Sequence, residues 1–390
     1  MKASLRRLVL KTVAWLSAPL LSRGRSSLQR EPSHILVIRP DHIGDVLFTT
    51  PALRALRSVT PDAHITYMVG PWTYEIVKNN PHLNEIIICP FPGFTRRPKK
   101  HLLQPYILLW RYARSLRAKS FDVALVLRFD HWWGAILAYW AGVPQRVGYA
   151  LPQMSPFLTR AVPYVSGRHE VEQNIHLVAA ALDEDIGDPG SLEFKPAPED
   201  VKSALNRLAE RDGNRRFLCL HPGAGAPVKL WRPESFAEVA DTLAKRYGLQ
   251  VIISGSATER SLAEEIAGRM ENNPIVTAGQ TSLGELAAIM GRCELVVGVD
   301  SGPLHLAVSQ GVPTVHLFGP VDHRTFGPWG EPRKNLVLLS DRDCIPCNRL
   351  DYAPQELEEH PCVRSITVAQ VLEAADSLLS GNGQTEPEMI

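Results

Sequence analysis

Residues 34–56 read HILVIRPDHIGDVLFTTPALRAL, and this stretch decides the fold class. It begins with a β-branched run, residues 34–38, of the kind found in buried parallel strands. Gly44 permits a sharp turn, and residues 46–56 follow a helical pattern that Pro51 is expected to end or kink. A strand, a loop and a helix in this order predict an α/β domain, whose ligands bind at the carboxyl edge of the sheet.

Two carboxylates, Asp41 and Asp45, lie in this first loop. At the carboxyl edge of a parallel sheet a carboxylate can bind a ligand or accept a proton. The alternative is that both residues are helix caps, because Asp is among the preferred N-cap residues. The sequence leaves both interpretations open.

The chain has 390 residues, which suggests two domains, and its composition of 45% hydrophobic and 21% charged residues is that of a globular protein. The net charge of +1 gives no argument for nucleic acid binding, and we expect no nucleic acid partner. Predicted strands alternate with helical stretches in two blocks, which predicts βαβ units and parallel sheets. The strands of the first block are HILVI, HITYMVG, NEIIICP and DVALVLR, and those of the second are RFLCLHPG, LQVIISGS, PIVTAG, CELVVGVD and PTVHLFG. We predict an N-terminal domain, an Asp-, Gly- and Pro-rich linker, a C-terminal domain and a flexible tail, over residues 31–185, 186–213, 214–375 and 376–390.

The first thirty residues form a basic amphipathic extension. Read as a helix, residues 1–30 place leucine and valine side chains on one face and Arg7 and Lys11 on the other. The segment is too short and too charged to span a bilayer. Such helices lie on anionic membrane surfaces, but packing on the chain's own domain, or disorder, explains the pattern equally well.

The second block contains two candidate anion sites. HPGAGAPVKLWRPESF, residues 221–236, has small residues that let backbone amides approach an anion, and Lys229 adds a positive charge for a phosphate. Its spacing is neither that of a Walker A loop nor GxGxxG. In the stretch VVGVDSGPLHLA a strand is expected to end at Val299 and a helix to open at Gly302. The free amides there, with Ser301 and His305, suit a pyrophosphate, although N-capping alone would also explain Asp300 and Ser301.

Two further groups have open interpretations. Cys344, Cys347 and Cys362, with His360 nearby, are ligand types for zinc, or else a reduced structural cluster. Several side chains of the first block are candidate contacts for an anionic acceptor: Asp41, Arg96, Arg97, Lys99, Lys100 and Asp130. For the basic residues 96–100, a solvated loop is the alternative. The tryptophan pair that follows Asp130 suits a sugar site or the core.

Three motifs in order carry a family resemblance: RPDHIGDVLFTTPALRALR, HPGAGAPVKLWRPESF and GVDSGPLHLAVSQGVPTVHLFGP. They resemble glycosyltransferase family 9, the heptosyltransferases of lipopolysaccharide core assembly. The resemblance implies an α/β GT-B fold, in which two Rossmann-like doubly wound domains face a cleft. It also implies inverting, metal-independent sugar transfer without a cofactor, from a nucleotide-sugar donor such as ADP-heptose to an anionic glycolipid acceptor. The expected location is the cytoplasm, with possible contact at the inner membrane.

The resemblance assigns roles residue by residue. Asp45 matches the family's general base and Lys229 its phosphate-contacting lysine. The remaining donor-side matches are Gly225 beside the donor, Glu259 at the ribose hydroxyls, Thr281 near adenine, and Asp300, Ser301, Gly302 and His305 at the sugar and pyrophosphate. At Ala224-Gly225 the chain departs from heptose-specific members, which often carry hydroxyl side chains there. The alternatives are a protein that binds a nucleotide sugar without transfer, and a nucleotide-sugar epimerase or dehydrogenase.

Overall fold

In the computed structural model of the chain, the described residues are 32–95, 103–188, 190–209 and 216–380. They form two compact units that divide after Gly190. The predicted extension over residues 1–30 lies outside the described residues. Within the described ranges, the structure contains no helix that is long and apolar enough to cross a membrane.

The first unit contains a six-stranded parallel sheet. Its strands are β1 (His34–Arg39), β2 (His64–Val69), β3 (Glu85–Ile88), β4 (Val123–Val126), β5 (Gln145–Tyr149) and β6 (Arg160–Val162). They pair in the order β3-β2-β1-β4-β5-β6. The first four strands were predicted because they are apolar runs. The sequence pattern missed β5 and β6, which are short and carry polar residues at one end of the sheet.

The helices of this unit are α1 (Ile43–Leu47), α2 (Thr50–Val59), α3 (Tyr74–Val77), α4 (Gln104–Arg117), α5 (Trp132–Trp140) and α6 (Glu170–Leu182). The predicted interruption by Pro51 is confirmed, because the helical pattern after β1 divides into α1 and α2 with Pro51 in the first turn of α2. The hydroxyls of Thr49 and Thr50 donate to the carbonyls of Val46 and Leu47 at 2.7 Å, and these bonds stabilise the break.

The second unit repeats the same topology. Its strands are β7 (Arg216–His221), β8 (Leu249–Ile253), β9 (Ile275–Val276), β10 (Cys293–Val299), β11 (Thr314–Phe318) and β12 (Asn335–Leu339). They pair in parallel in the order β12-β11-β10-β7-β8-β9. Five of these strands were predicted, and β12 was missed. Its helices are α7 (Pro198–Ala209), α8 (Pro233–Tyr247), α9 (Arg260–Arg269), α10 (Leu283–Met290), α11 (Gly302–Ser309), α12 (His323–Phe326) and α13 (Val368–Leu379).

Two predicted boundaries need correction. The segment 186–213, predicted as a linker, contains α7, which is part of the second unit: Ser282 at the start of α10 donates to Asp200 of α7 at 2.8 Å. Burial of apolar side chains on one face of α7 explains this packing. The predicted flexible tail, 376–390, begins inside α13, whose last leucines pack against the core.

Both sheets are doubly wound, with the strand order of a Rossmann fold. In each unit the chain reverses direction across the sheet between the first and the fourth strand, which are β1 and β4 in one unit and β7 and β10 in the other. Ligands of such sheets bind outside the carboxyl ends of the strands at this switch point. We therefore look for candidate functional residues in each unit separately, in the loops after its own two switch-point strands.

Candidate active site

Charged side chains meet at the switch point of the first sheet. Asp41 and Asp45 follow β1, and Arg128 and Asp130 follow β4, its neighbour. Arg128 forms ion pairs with both Asp41 and Asp130, and its Nε lies 2.5 Å from Oδ1 of Asp130. The topology thus brings Arg128 and Asp130 next to Asp41, which lies far from them in the sequence.

Arg39, the last residue of β1, forms buried ion pairs with carboxylates of this cluster. Its guanidinium is buried, with Nε 2.5 Å from Oδ2 of Asp41 and Nη2 3.0 Å from Oε2 of Glu170 on α6. Its Nη1 donates to the carbonyl of Leu127 at 2.9 Å. Nη2 also lies 3.7 Å from Oδ1 of Asp45, a separation too long for a good hydrogen bond. Other groups therefore engage the donors of Arg39, and Asp45 is held near a positive charge without being bound by it.

Asp41 has a structural role that the sequence did not reveal. Its side chain is only 1% exposed and lies between the guanidinium groups of Arg39 and Arg128. Burial alone would raise the pKa of Asp41, but these two positive charges hold it below its usual value. Asp41 precedes the N-cap of α1, which is His42, so the prediction of a helix cap is wrong for Asp41. Its predicted contact with an acceptor stays a prediction.

Asp45 has a different environment four residues later. It lies in the first turn of α1, whose N-cap is His42 and has no side-chain capping bond, so the capping interpretation of Asp45 is also wrong. Its side chain remains 29% exposed. Loss of hydration raises the pKa of Asp45 to about 7, the negative charge of Asp41 adds to this, and Arg39 opposes it. A carboxylate with a pKa near neutrality is suited to accept a proton.

The segment after β4 contributes one side chain to the site and others to the core. Asp130 is 40% exposed beside Arg128, so its predicted contact with an acceptor stays a prediction. Trp133 is buried and packs edge-on against Phe91, which confirms the core interpretation for this tryptophan. His131 packs against both of these rings, and burial lowers its pKa to about 3, so that its imidazole is neutral.

At the switch point of the second sheet, a lysine and a carboxylate form a close pair. Lys229 ends a short turn after β7, and Asp300 follows β10, the neighbouring strand. Nζ of Lys229 lies 2.7 Å from Oδ2 of Asp300, with the side chains 13% and 9% exposed. The topology thus brings the two candidate anion motifs together. The lysine is held at the edge of the sheet with two further N–H donors for a ligand.

The helix start beside this pair matches the predicted anion site. β10 ends at Val299 and α11 begins at Gly302, as expected from the sequence. Ser301 occupies the N-cap position but makes no capping bond, and its buried hydroxyl has no hydrogen-bond partner in the structure. Side-chain capping therefore does not explain Ser301 or Asp300. The positive end of the helix dipole, a buried hydroxyl and Lys229 lie at one edge of the sheet.

The remaining donor-side residues follow the carboxyl ends of strands in the same sheet. The backbone N–H of Ser256 donates to Glu259 at 2.7 Å, and the carboxylate of Glu259 fills the space beside Gly223, where a Cβ would lie 2.2 Å from it. Space is open around Gly225. Thr281 is half-buried just before α10, and His305 is buried in the first turn of α11. Their predicted ligand contacts stay predictions.

Two sequence features are not drawn into this site. Nδ1 of His221 lies 3.0 Å from the Ser254 hydroxyl, and burial lowers the pKa of His221 to about 4, in keeping with a packing role. Among the described residues, no group of three or more His, Cys, Asp and Glu side chains could hold a metal ion, and Cys344, Cys347 and Cys362 are free thiols. The predicted acceptor residues Arg96, Arg97, Lys99 and Lys100 lie outside the described residues.

Comparison with known proteins agrees with this architecture. The profile of glycosyltransferase family 9 (heptosyltransferase) matches residues 109–355. Lipopolysaccharide heptosyltransferase 1 of Pseudomonas aeruginosa is 30% identical over 83% of the chain and 89% of its own length. Lipopolysaccharide heptosyltransferase 3 of Escherichia coli K12 is 28% identical, over 74% and 83%. A crystal structure of a family 9 glycosyl transferase from Veillonella parvula superposes with a TM-score of 0.75 at 28% identity, covering 89% of this chain and 97% of that one.

Two doubly wound units with ligand-type residues at both switch points define a protein of the GT-B class, as the resemblance predicted. The chain belongs to glycosyltransferase family 9 and is a glycosyltransferase. This excludes the alternatives of an epimerase and a dehydrogenase, and favours transfer over binding alone.

Sequence reasoning missed three members of the first site: Arg39, Arg128 and Glu170. A charged residue at the end of an apolar strand is the local signal that could have identified Arg39. Arg128 and Glu170 join the site only through strand order and the packing of α6, which no local pattern carries.

Proposed function

We propose that this glycosyltransferase moves heptose or a closely related sugar from a nucleotide-diphosphate donor, such as its ADP derivative, to a lipopolysaccharide core acceptor. The observation that carries the proposal is Asp45, a partly exposed carboxylate with a pKa near 7 at a switch point. The names of the relatives support the choice of heptose and lipopolysaccharide.

Asp45 acts in the proposed reaction as the general base. It takes the proton from an acceptor hydroxyl while that oxygen forms a bond to the anomeric carbon of the donor. The bond from this carbon to the nucleotide diphosphate breaks, and the configuration inverts. Asp41 stays ionised between its two arginines and provides a fixed negative charge that favours protonation of Asp45.

The leaving diphosphate gains negative charge, which groups of the second unit stabilise. Lys229 shares its N–H groups between Asp300 and the phosphates, and the amides at the start of α11 add the helix dipole. The reaction in this form uses neither a metal nor a cofactor. Glu259 holds the ribose hydroxyls, because a carboxylate fixed by Ser256 can accept two hydrogen bonds from a diol.

A panel of ADP-, UDP- and GDP-sugars tests the donor. We expect an ADP-sugar to raise the melting temperature most, since a ligand that binds the folded state stabilises it. Incubation of the enzyme and the stabilising nucleotide sugar with lipopolysaccharide core lacking heptose should then yield a core whose new glycosidic bond has the anomeric configuration opposite to that of the donor. Transfer of a hexose in preference to heptose would overturn the choice of donor sugar. The comparison is needed because the space around Gly225, a predicted donor contact, is open.

Replacing Lys229 with alanine should weaken donor binding by about 10- to 150-fold. This corresponds to the roughly 1.5–3 kcal/mol of a hydrogen bond to a charged group. The variant also leaves Asp300 without its counter-ion beside the phosphates, which adds to the loss. Calorimetric titration with the nucleotide diphosphate measures the effect, and Lys245→Ala on the exposed end of α8 is the matched control. Equal affinity of the two variants for the nucleotide diphosphate would show that the loop containing Lys229 does not bind the phosphates.

The raised pKa of Asp45 predicts the pH dependence of transfer. The base must be ionised, so kcat/KM for the acceptor should rise about tenfold per pH unit below pH 7 and level off above it. Profiles measured between pH 5 and 9, with donor affinity determined at each pH, check this. A rate that is already constant at pH 5 would mean that an ordinary carboxylate, or none, accepts the proton.

We also propose that the enzyme works on the cytoplasmic side of the inner membrane, where a lipid-linked acceptor is presented. The basic amphipathic pattern of residues 1–30 supports a peripheral contact. Arg96, Arg97, Lys99, Lys100 and Asp130 stay the proposed contacts with the anionic acceptor.

A further inference from the structure

Helix α4 has two apolar faces, and only one of them is covered by the first unit. Leu109, Ala113 and Leu116 are buried in the core that α4 shares with α5 and the sheet. On the opposite side, four large side chains are exposed by 56–66%: Leu103, Tyr106, Ile107 and Trp110. Their spacing of three, four and seven residues places them in one stripe on a helix.

Such a stripe is unusual on a surface that faces water. Single exposed apolar residues are common, but a contiguous group of large ones marks a surface that binds something. Here the group includes the tryptophan and the tyrosine, whose amphipathic rings suit the boundary between water and lipid. We refer to Leu103, Tyr106, Ile107 and Trp110 as the α4 stripe.

The charges of α4 identify the partner. The helix has no acidic residue, and Arg111, Arg114 and Arg117 are exposed along it. The guanidinium carbon of Arg114 lies 5.8 Å from the centre of the Trp110 ring, so a positive charge adjoins the stripe. Apolar anchors with arginines beside them fit a layer of anionic headgroups above acyl chains. Two copies of the helix would instead bring arginines together.

We infer that the α4 stripe docks the first unit on an anionic lipid bilayer, with Ile107 and Trp110 inserted below the headgroups and Arg111 and Arg114 at their level. This inference deepens the proposed function, because a lipid-linked acceptor lies in the same membrane. It assigns the contact to a helix of the folded unit, independently of residues 1–30.

Binding of the full chain to vesicles tests the inference. Vesicles of phosphatidylcholine with and without phosphatidylglycerol are mixed with the parent and the variants, and the sedimented protein is measured. We expect the double variant I107S/W110S to lose at least tenfold in partitioning, since full burial of one such side chain is worth about tenfold or more. R111Q/R114Q should lose about fivefold per arginine, and only on the anionic vesicles.

The matched control is V201S/L205S, which removes two exposed apolar side chains from α7 in the second unit. It should partition like the parent. All variants keep residues 1–30, so a difference between I107S/W110S and the control belongs to α4. Because the α4 residues are exposed, the substitutions should leave the melting temperature unchanged.

Two outcomes would overturn the inference. One is equal partitioning of I107S/W110S and the parent. The other is self-association of the parent that I107S/W110S abolishes, which would make the stripe an interface between copies of the chain. Sugar transfer to a soluble, delipidated core acceptor separates this inference from the proposed function. I107S/W110S should retain the full transfer activity of the parent on this acceptor. If the parent itself shows no transfer, the proposed function fails, and the vesicle result still decides whether α4 binds the membrane.

Discussion

Replacing Asp45 with asparagine should lower the transfer rate by about 10²–10⁴-fold and leave donor affinity nearly unchanged, since this is the usual contribution of a general base. Asparagine keeps the size and shape of the side chain but cannot accept the proton. Donor binding is retained because Lys229, which binds the phosphates in our proposal and is paired with Asp300, belongs to the other unit.

The stability of the Asp45→Asn variant should remain close to that of the parent. Asp45 makes no capping bond, and its nearest cation, Arg39, is 3.7 Å away and engaged by other carboxylates. Turnover, donor affinity and melting temperature are measured on one preparation. Asp62→Asn, an exposed change in the turn before β2, is the control and should behave like the parent. Turnover of Asp45→Asn close to that of the parent would show that Asp45 is not the general base.

Replacing Arg39 with leucine should lower the free energy of unfolding of the first unit by about 3–5 kcal/mol, the cost of removing one partner from a buried ion pair. The substitution leaves Glu170 without its cation and Asp41 with Arg128 alone. Denaturant unfolding followed by tryptophan fluorescence measures the loss. Arg216→Leu is the control, since Arg216 forms an exposed pair with Glu294 at the start of β7 and should cost less than about 1 kcal/mol.

The pH dependence of this loss has a definite sign. In the parent the pKa of Asp41 is lowered, so its ion pairs stabilise the fold above the unfolded-state pKa, and this contribution disappears as the pH falls through the folded-state pKa. The difference between Arg39→Leu and the parent should therefore be largest near neutral pH and smaller in acid. A loss that is independent of pH would indicate that packing of the arginine stem, rather than charge, is what the variant removes.

The buried strands were predictable because each is a short local run of apolar residues, as in HILVI of β1 or CELVVGV of β10. β5 and β6 were not, because QRVGY and RAV carry polar residues where the sheet is less covered. The segment 186–213 was misread because its Gly and Pro residues outweighed the amphipathic pattern of α7. Helix packing against α10 then decided its place in the second unit.

The sequence by itself determined that this chain has two doubly wound units and which loops carry the chemistry, because strand runs, glycine turns and motif spacing are local properties. It also nominated both Asp41 and Asp45. Only the tertiary structure distinguished them: strand order brings Arg128 to Asp41, the packing of α6 brings Glu170 to Arg39, and the two carboxylates acquire opposite pKa shifts. A proton affinity depends on the charges and the hydration within a few ångströms, and those neighbours come from parts of the chain about 90 and 130 residues away.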